Sequence, residues 1–342
     1  MRLIVPAALL TFGLSAAQAA LSVADMSSHQ RLIGGQDALV NQYPSTAQVH
    51  IDGKYACAAS ILSDTWLLTA AHCLVDANRI IRSPCSLQVG AGTTANTTAH
   101  LADVASIVIH ESYNATSSKN DIGLIELDTP LTFSNGIQPI ETDMQRPTLH
   151  DNLWALGWGK TAESNAGGSP VLQAVELTVL GNRTCQGAYP ELEPSRGDQL
   201  CTGLIPGHGP CNGDSGGPLL RVQSPTRHTL VGLTSMDASV TGQAPGCGTV
   251  QTVSIFTHVA YFVPWIRNHT GIHSVGILTA TPSPTPTPAT MASPVIASSA
   301  TPSAKPTTAV TPLLDNSRSS SLTVPLVLLG LAPLLGVTIS WL

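Results

Sequence analysis

The chain has 342 residues, a formal net charge of −6 and only 11% charged residues. That length is enough for one large domain or two small ones. No basic run occurs and basic residues do not alternate with aromatic ones, which argues against binding to nucleic acid. The scarcity of charge also argues against a largely disordered acidic protein.

Residues 1–19 are predicted to be a secretory signal peptide. Arg2 precedes an apolar run from Leu3 to Leu14, and Ala17-Gln18-Ala19 supplies a small-x-small cleavage signature. Export to an oxidising compartment would permit disulfides.

Cysteines and glycosylation sequons are both consistent with export. The odd cysteine count leaves at least one thiol unpaired or bridged to another chain. Asn-x-Ser/Thr sequons are glycan acceptors on extracellular surfaces. The cysteines are Cys57, Cys73, Cys85, Cys185, Cys201, Cys211 and Cys247, and the sequons begin at Asn96, Asn114, Asn182 and Asn268.

The segment 32–272 is predicted to be the folded domain. Short runs rich in β-branched and apolar residues recur in it, and clusters of Gly, Pro, Asn or Ser separate most of them. This spacing predicts an all-β sandwich or barrel. One helix is predicted in "VAYFVPWIRNHTG", ending at Gly271, although Pro264 leaves its start undefined.

Three short segments of this domain carry residues suited to nucleophilic catalysis. His72 follows a strand-like run in "LLTAAHC", Asp121 begins a buried-looking strand in "NDIGLIEL", and Ser215 lies in the glycine loop "GDSGGP". A serine hydroxyl is a poor nucleophile near neutral pH, so it needs a base to accept its proton and an anion to orient that base. The glycines let backbone N–H groups converge on one point, where they can stabilise an oxyanion.

Residues 273–321 differ sharply in composition from the domain before them. They are rich in Pro, Ser, Thr and Ala, and Lys305 is the one charged residue between Ala280 and Pro312. Such a segment cannot bury enough apolar surface to fold, and it is predicted to be an O-glycosylated stalk. The alternative is an unmodified disordered linker.

Residues 322–342 form an uncharged apolar tail that is predicted to attach the protein to a membrane. Small residues precede it in "NSRSSSL", and no Lys or Arg follows it. These features favour a GPI-attachment signal, with Asn316, Ser317 or Ser319 as the attachment residue. The alternative is a single C-terminal transmembrane helix, because a tail of this length could span a bilayer.

The three catalytic segments, in the order His, Asp, Ser, resemble the trypsin/chymotrypsin family of serine endopeptidases over about residues 32–270. This order differs from those of subtilisins and α/β-hydrolases. The resemblance implies an all-β fold of two packed six-stranded antiparallel β-barrels with a C-terminal helix. It also implies that His72 is the general base, that Asp121 orients it, and that Ser215 attacks the carbonyl to form an acyl-enzyme. The N–H groups of Gly213 and Ser215 would form the oxyanion hole.

The same resemblance implies three disulfides, Cys57–Cys73, Cys185–Cys201 and Cys211–Cys247. Cys85 is left over, either as a buried unpaired thiol or as one half of a bridge to another chain. No His-Cys cluster has metal-ligand spacing and no acidic Ca²⁺ loop stands out, so no metal or cofactor is expected.

The stretch "HQRLIGGQ" resembles the activation junction of the family's zymogens. Cleavage after Arg31 by an activating protease would release residues 20–31 as a propeptide. The new ammonium group of Leu32 would then pair with Asp214 and order the oxyanion loop, since an unpaired buried carboxylate is unfavourable. Leu32 departs from the usual Ile, which implies looser docking.

The predicted substrate-binding residues depart from the family pattern; by resemblance they are Gly209, Ser235, Met236, Asp237 and Ser254. Gly209 stands six residues before Ser215, where enzymes that cut after Lys or Arg carry Asp. Ser235 is expected to hydrogen-bond Asp121, and Ser254 to lie further along the opposite wall. Met236 and Asp237 replace the usual Trp and Gly of the pocket wall.

Asp237 leaves two alternatives for specificity. We expect it at the pocket rim, pointing to solvent; in the alternative, it enters the pocket and attracts a basic side chain. Because Gly209 supplies no charge at the floor, the hypothesis from sequence is a preference for small or apolar residues before the cut.

The sequence therefore predicts a secreted, surface-anchored serine endopeptidase that is activated by cleavage after Arg31. Its partners would be protein or peptide substrates, an activating protease and protein protease inhibitors, with membrane contact through the C-terminal tail. The alternative is a non-catalytic protein of the same fold, used for binding or adhesion at the cell surface.

Overall fold

The structure, a computed structural model, describes residues 33–97, 101–162, 164, 167–203, 205–244, 246–273 and 340–341. The predicted signal peptide and propeptide, Leu32, the stalk beyond residue 273 and most of the C-terminal tail lie outside the described residues.

Within these ranges the chain is built mainly from short strands, with two α-helices. The strands are β1 (Gln36–Asp37), β2 (Thr46–Ile51), β3 (Lys54–Ile61), β4 (Trp66–Thr69), β5 (Leu87–Gly90), β6 (Leu101–Ile109), β7 (Gly123–Leu127), β8 (Glu141–Thr142), β9 (Asn152–Gly157), β10 (Gln173–Thr178), β11 (Gln199–Gly203), β12 (Pro218–Ser224), β13 (Arg227–Ser239), β14 (Thr252–His258) and β15 (Ser340–Trp341). The helices are α1 (Asn182–Ala188) and α2 (Val259–Thr270), and short 3-10 helices lie at Ala71–Leu74 and Pro84–Ser86.

Six strands close into the first barrel in the order β2-β3-β4-β7-β6-β5, and every neighbouring pair is antiparallel. Alternate side chains of a strand point to opposite faces, so β2 can direct Ala47 and Val49 inward. They pack in one core with Ile61, Leu67 and Ile125 from other strands of the barrel. Closure leaves this sheet without an open edge.

The second barrel uses the strand order β10-β9-β12-β13-β14-β11. Its two end strands meet where Val179, just after β10, pairs with Thr202 of β11, and where the Leu180 N–H donates to the Cys201 carbonyl at 3.0 Å. In addition to these six strands, β1 pairs with β10, and both β8 and β15 pair with β13. The expected architecture of two six-stranded barrels with a C-terminal helix is confirmed.

A shared apolar core joins the barrels and the helix α2. It combines Leu68 and Leu124 of the first barrel with Leu156 and Leu220 of the second and Phe262 of α2. Burial of apolar surface at this junction holds the two barrels in a fixed relation. Segments from both barrels can therefore contribute to one site.

The helix α2 ends where the sequence predicted. Gly271 has φ 67°, a left-handed conformation that suits glycine, and its N–H donates to the Arg267 carbonyl at 2.9 Å. The helix starts at Val259, and Pro264 lies on its exposed side. The proline therefore removes one helical donor without ending the helix.

All three implied disulfides form: Cys57–Cys73, Cys185–Cys201 and Cys211–Cys247. Cys85, in contrast, is exposed, so the expectation of a buried thiol is wrong. It lies in the 3-10 helix Pro84–Ser86, which has no buried residue.

Candidate active site

His72 is held against Asp121 by two hydrogen bonds. Its backbone N–H donates to Asp121 Oδ1 at 2.9 Å, and its Nδ1 lies 2.8 Å from Oδ2. His72 sits in the 3-10 helix that follows β4, and the neighbouring Cys73 is tied to β3 through Cys57. The carboxylate therefore fixes both the main chain and the ring of the histidine, which leaves Nε2 as the nitrogen for proton transfer.

Two further donors hold Asp121, which is fully buried. Ser235 Oγ donates to Asp121 Oδ2 at 2.6 Å, as the sequence predicted, and Thr257 Oγ1 donates to the Asp121 carbonyl at 2.7 Å. A buried carboxylate needs such donors because no water surrounds it. The role of Thr257 was missed, because nothing in the sequence of β14 separates this threonine from other strand residues.

The Ser215 loop is anchored to the first barrel. The Ala58 N–H donates to the Ser215 carbonyl at 2.9 Å, and the Tyr55 hydroxyl donates to the Gly213 carbonyl at 2.5 Å. Gly213 and Gly216 have φ values of 100° and 70°, which L side chains rarely adopt. A Cβ on Gly216 would also lie 2.1 Å from Thr69 Oγ1. The glycine pattern thus serves a tight turn against a neighbouring barrel.

Three hydrogen-bonding groups of the Ser215 loop have no partner among the described residues. The N–H groups of Gly213 and Ser215 donate no hydrogen bond to a described residue, and Ser215 Oγ is buried and likewise without a described partner. The hydrogen bond between Ser215 and His72 is therefore not formed in this structure. Such bonds are often long in unliganded enzymes and tighten around substrate.

Asp214, next to Ser215 in the chain, is a buried carboxyl group. Its Oδ1 accepts from the Gly159 N–H and its Oδ2 from the Cys211 N–H, both at 2.8 Å. Burial raises the pKa of Asp214 to about 7, and the two backbone donors oppose that rise. Gly159, just after β9, therefore contacts the Ser215 loop through Asp214.

The chain just after the predicted activation junction packs against Gly209 and the Cys211–Cys247 disulfide. Ile33 pairs with Gly209, whose N–H donates to the Ile33 carbonyl at 3.1 Å, and the Ile33 side chain packs against Cys211 and Cys247. Arg31 and Leu32 lie outside the described residues. The segment that follows them reaches Gly209 through Ile33.

The predicted pocket wall is formed by β13 and β14. Met236 is fully buried in a core cluster, so its side chain packs inside the second barrel. Asp237 pairs directly with Ser254 across the two strands, and it is only 2% exposed. The expectation that Asp237 points to solvent is wrong, because strand alternation turns it to the face opposite Met236.

A cluster of Cys57, His72 and Cys73 brings nitrogen and sulfur atoms within 4.8 Å of one another. The two sulfurs are joined in a disulfide, so neither is a thiolate that could bind a metal ion.

A model of the family described as Trypsin matches residues 32–266. The chain belongs to the trypsin family. The resemblance read from the three catalytic segments is thereby confirmed, and this part of the chain is a serine endopeptidase domain.

Relatives in this family differ greatly in length. Transmembrane protease serine 7 from Mus musculus is 34% identical over 245 residues, which cover 70% of this chain and 28% of that protein. The Homo sapiens protein of the same name is 34% identical over 249 residues, covering 71% and 28%. Brachyurin from Leptuca pugilator is 32% identical over 246 residues, covering 70% of this chain and 99% of brachyurin. The chain thus spans less than a third of the transmembrane relatives and nearly all of brachyurin.

Proposed function

We propose that this protein is an active serine endopeptidase that hydrolyses peptide bonds of protein or peptide substrates with His72, Asp121 and Ser215. The pair of hydrogen bonds from His72 to one buried carboxylate is the observation that carries the proposal. A histidine held through Nδ1 in this way has Nε2 as the nitrogen that can accept a proton.

In the proposed mechanism, Ser215 Oγ attacks the scissile carbonyl carbon while His72 Nε2 takes its proton. Asp121 stabilises the imidazolium that results. The oxyanion accepts hydrogen bonds from the N–H groups of Gly213 and Ser215, which have no described partner in the fold. His72 then gives the proton to the leaving amine, and water hydrolyses the acyl-enzyme by the same steps in reverse.

A fluorophosphonate probe tests this proposal directly, because it modifies only an activated serine. The full chain is cleaved after Arg31 and incubated with the probe, beside a Ser215→Ala variant and a His72→Ala variant. Labelling of the wild type and of neither variant is expected. A folded, cleaved wild type that stays unlabelled would instead support the non-catalytic binding or adhesion protein.

Activation is proposed to require cleavage after Arg31, with Leu32 then pairing with Asp214. The docking of Ile33 beside Gly209 supports this proposal, since it places the start of the domain at the Ser215 loop. The high pKa of Asp214 supports it too, because a buried carboxyl group of this kind gains from a cationic partner. Labelling by the probe should therefore appear only after cleavage.

The proposed location is the cell surface, after export by residues 1–19, on the stalk 273–321 and through the tail 322–342. Among the described residues, no helix is both long and apolar enough to cross a bilayer. The membrane-bound relatives favour surface attachment in general, and the small residues before the tail favour a GPI anchor. Treating cells with a phosphatidylinositol-specific phospholipase tests the anchor. Release of the peptidase activity into the medium is expected for a GPI anchor, and activity that stays on the cells would favour a transmembrane helix.

A GPI anchor would remove the tail that contains β15, so the pairing of Ser340–Trp341 with β13 would belong to the precursor alone.

Glycosylation is proposed at Asn96, Asn114, Asn182 and Asn268. All but Asn96 are exposed, and Asn96 is half-buried with its amide near the Ser169 carbonyl. Loss of the sequons one at a time, followed by gel mobility, would show which are occupied.

A further inference from the structure

The two N–H groups of the proposed oxyanion hole belong to peptide groups that flank a third one. The Gly213 N–H is part of the peptide group that joins Asn212 to Gly213, and the Ser215 N–H is part of the one that joins Asp214 to Ser215. Between them lies the peptide group that joins Gly213 to Asp214, called the middle peptide below. Each peptide group is a rigid plane, so the orientation of the middle peptide sets the direction of one N–H relative to the other.

The two flanking peptide groups are held through their carbonyl oxygens by main-chain donors. The Lys160 N–H donates to the Asn212 carbonyl at 2.8 Å, and the Gly217 N–H donates to the Asp214 carbonyl at 3.0 Å. Their own N–H groups donate to no described residue. Each flanking peptide group is therefore fixed at its carbonyl and can donate its N–H to an oxyanion.

The middle peptide is held by a side chain from the other barrel. Its N–H, that of Asp214, donates to the Cys211 carbonyl at 2.9 Å, and its carbonyl, that of Gly213, accepts from the Tyr55 hydroxyl at 2.5 Å. Tyr55 belongs to β3 of the first barrel. Because Gly213 has no side chain and has φ 100°, its own packing restrains the backbone little. The hydroxyl supplies a restraint that the glycine itself does not.

Tyr55 is in turn fixed by its surroundings. Its ring meets the Trp158 ring edge-on, with centroids 5.9 Å apart, and the His50 ring in the same manner at 6.0 Å. The backbone N–H of Trp158 donates to the Tyr55 oxygen at 3.4 Å. Burial, and after it the charge of Asp214, raise the pKa of Tyr55 well above its ordinary value, so the hydroxyl keeps its proton and donates it to the Gly213 carbonyl.

We propose that Tyr55 is a positioning residue for catalysis, whose hydroxyl holds the middle peptide so that the N–H groups of Gly213 and Ser215 converge on the oxyanion. The inference rests on the proposed function. Tyr55 acts through the Gly213 carbonyl and not on the reacting atoms. Donors that are fixed in advance stabilise a developing charge best, because they need no reorganisation during the reaction.

The kinetic effect of Tyr55 should be confined to the transition state. The carbonyl oxygen of a bound substrate carries little charge, whereas the oxyanion carries a full one, so a loosened hole affects mainly the charged species. An interaction that matters only in the transition state lowers kcat when it is lost and leaves KM nearly unchanged.

The variant Tyr55→Phe tests the proposal, because it removes the hydroxyl and keeps the ring that packs on Trp158. It is made in the full chain, cleaved after Arg31, and assayed with a fluorogenic peptide that the wild type cuts. Loss of one hydrogen bond should lower kcat on the order of 10-fold. The inhibition constant of phenylboronic acid should rise by a similar factor, because its tetrahedral adduct with Ser215 places an oxygen in the oxyanion hole.

Tyr43→Phe is the matched control. It removes a hydroxyl from another tyrosine of the shared core, one that bonds the Gln42 side chain at 3.3 Å, and it should leave kcat unchanged. If Tyr55→Phe fails to fold, 4-fluorophenylalanine in place of Tyr55 gives the same measurement, since fluorine fills the space of the hydroxyl and donates no hydrogen bond.

Two results would overturn the inference. One is a folded variant at position 55 whose kcat and phenylboronic acid inhibition constant both stay within about 2-fold of the wild type. The other is a loss of activity that lies in KM, or that Tyr43→Phe shares, because either would assign the hydroxyl to the fold alone. Fluorophosphonate labelling separates the two levels: an unlabelled wild type refutes the proposed function, while a labelled wild type with a fully active Tyr55→Phe refutes only this inference.

Discussion

At the scale of residues, the surroundings of Asp121 separate what sequence can predict from what it cannot. The Ser235 contact was expected from the resemblance, because the family pattern places a serine at that point of the chain. The Thr257 contact depends on how β14 packs against the start of β7, and the Tyr55 contact depends on how one barrel meets the other. Such long-range contacts leave no local pattern.

The variant Ser235→Ala tests how much one of these hydrogen-bond donors contributes to catalysis. Loss of a hydrogen bond to a buried carboxylate costs about 1.5–3 kcal/mol, so we expect kcat to fall roughly 10- to 100-fold through poorer positioning of His72. Ser106→Ala, which removes a serine bonded to Glu126 in the first barrel, should leave kcat nearly unchanged. Fluorophosphonate labelling should slow with kcat, and an unaltered rate would contradict the positioning role.

At the scale of elements, α2 and several of the strands followed from local patterns, while α1 did not. The seven residues of α1 include a glycine and a threonine, and its fixed point is the Cys185–Cys201 disulfide to β11. Such a short helix owes its stability to tertiary contacts rather than to propensity. The exposure of Cys85 was not predicted either, because the number of cysteines carries no information about which of them are buried.

The Ser215 loop yields a prediction at this scale. Gly216→Ala combines an unfavourable left-handed φ with a Cβ that would contact Thr69 Oγ1, so it should destabilise the fold by at least about 2 kcal/mol. Gly53→Ala has a similar φ of 74° with open space around it, and should cost only about 1 kcal/mol. Urea denaturation in a Ser215→Ala background avoids self-digestion; equal losses in both variants would mean that the contact with Thr69 is unimportant.

At the scale of the whole molecule, the double barrel was predictable only through resemblance, since short strands alone fit a sandwich as well as a barrel. Asp214 connects that architecture to activation. Its folded pKa is about 7, above the value near 3.9 in an unfolded chain, so the folded protein holds the proton more tightly. The free energy of unfolding of the uncleaved chain should therefore fall as the pH rises from about 4 to about 7.

Cleavage after Arg31 should reduce this loss, because the new ammonium group lowers the pKa of Asp214. This prediction is checked by measuring thermal unfolding of the uncleaved and cleaved forms of Ser215→Ala at pH 5 and at pH 8. The uncleaved form should lose more stability on going to pH 8, and Asp214→Asn should reduce the difference between the two forms. Equal pH dependence in all of them would remove Asp214 from the activation step.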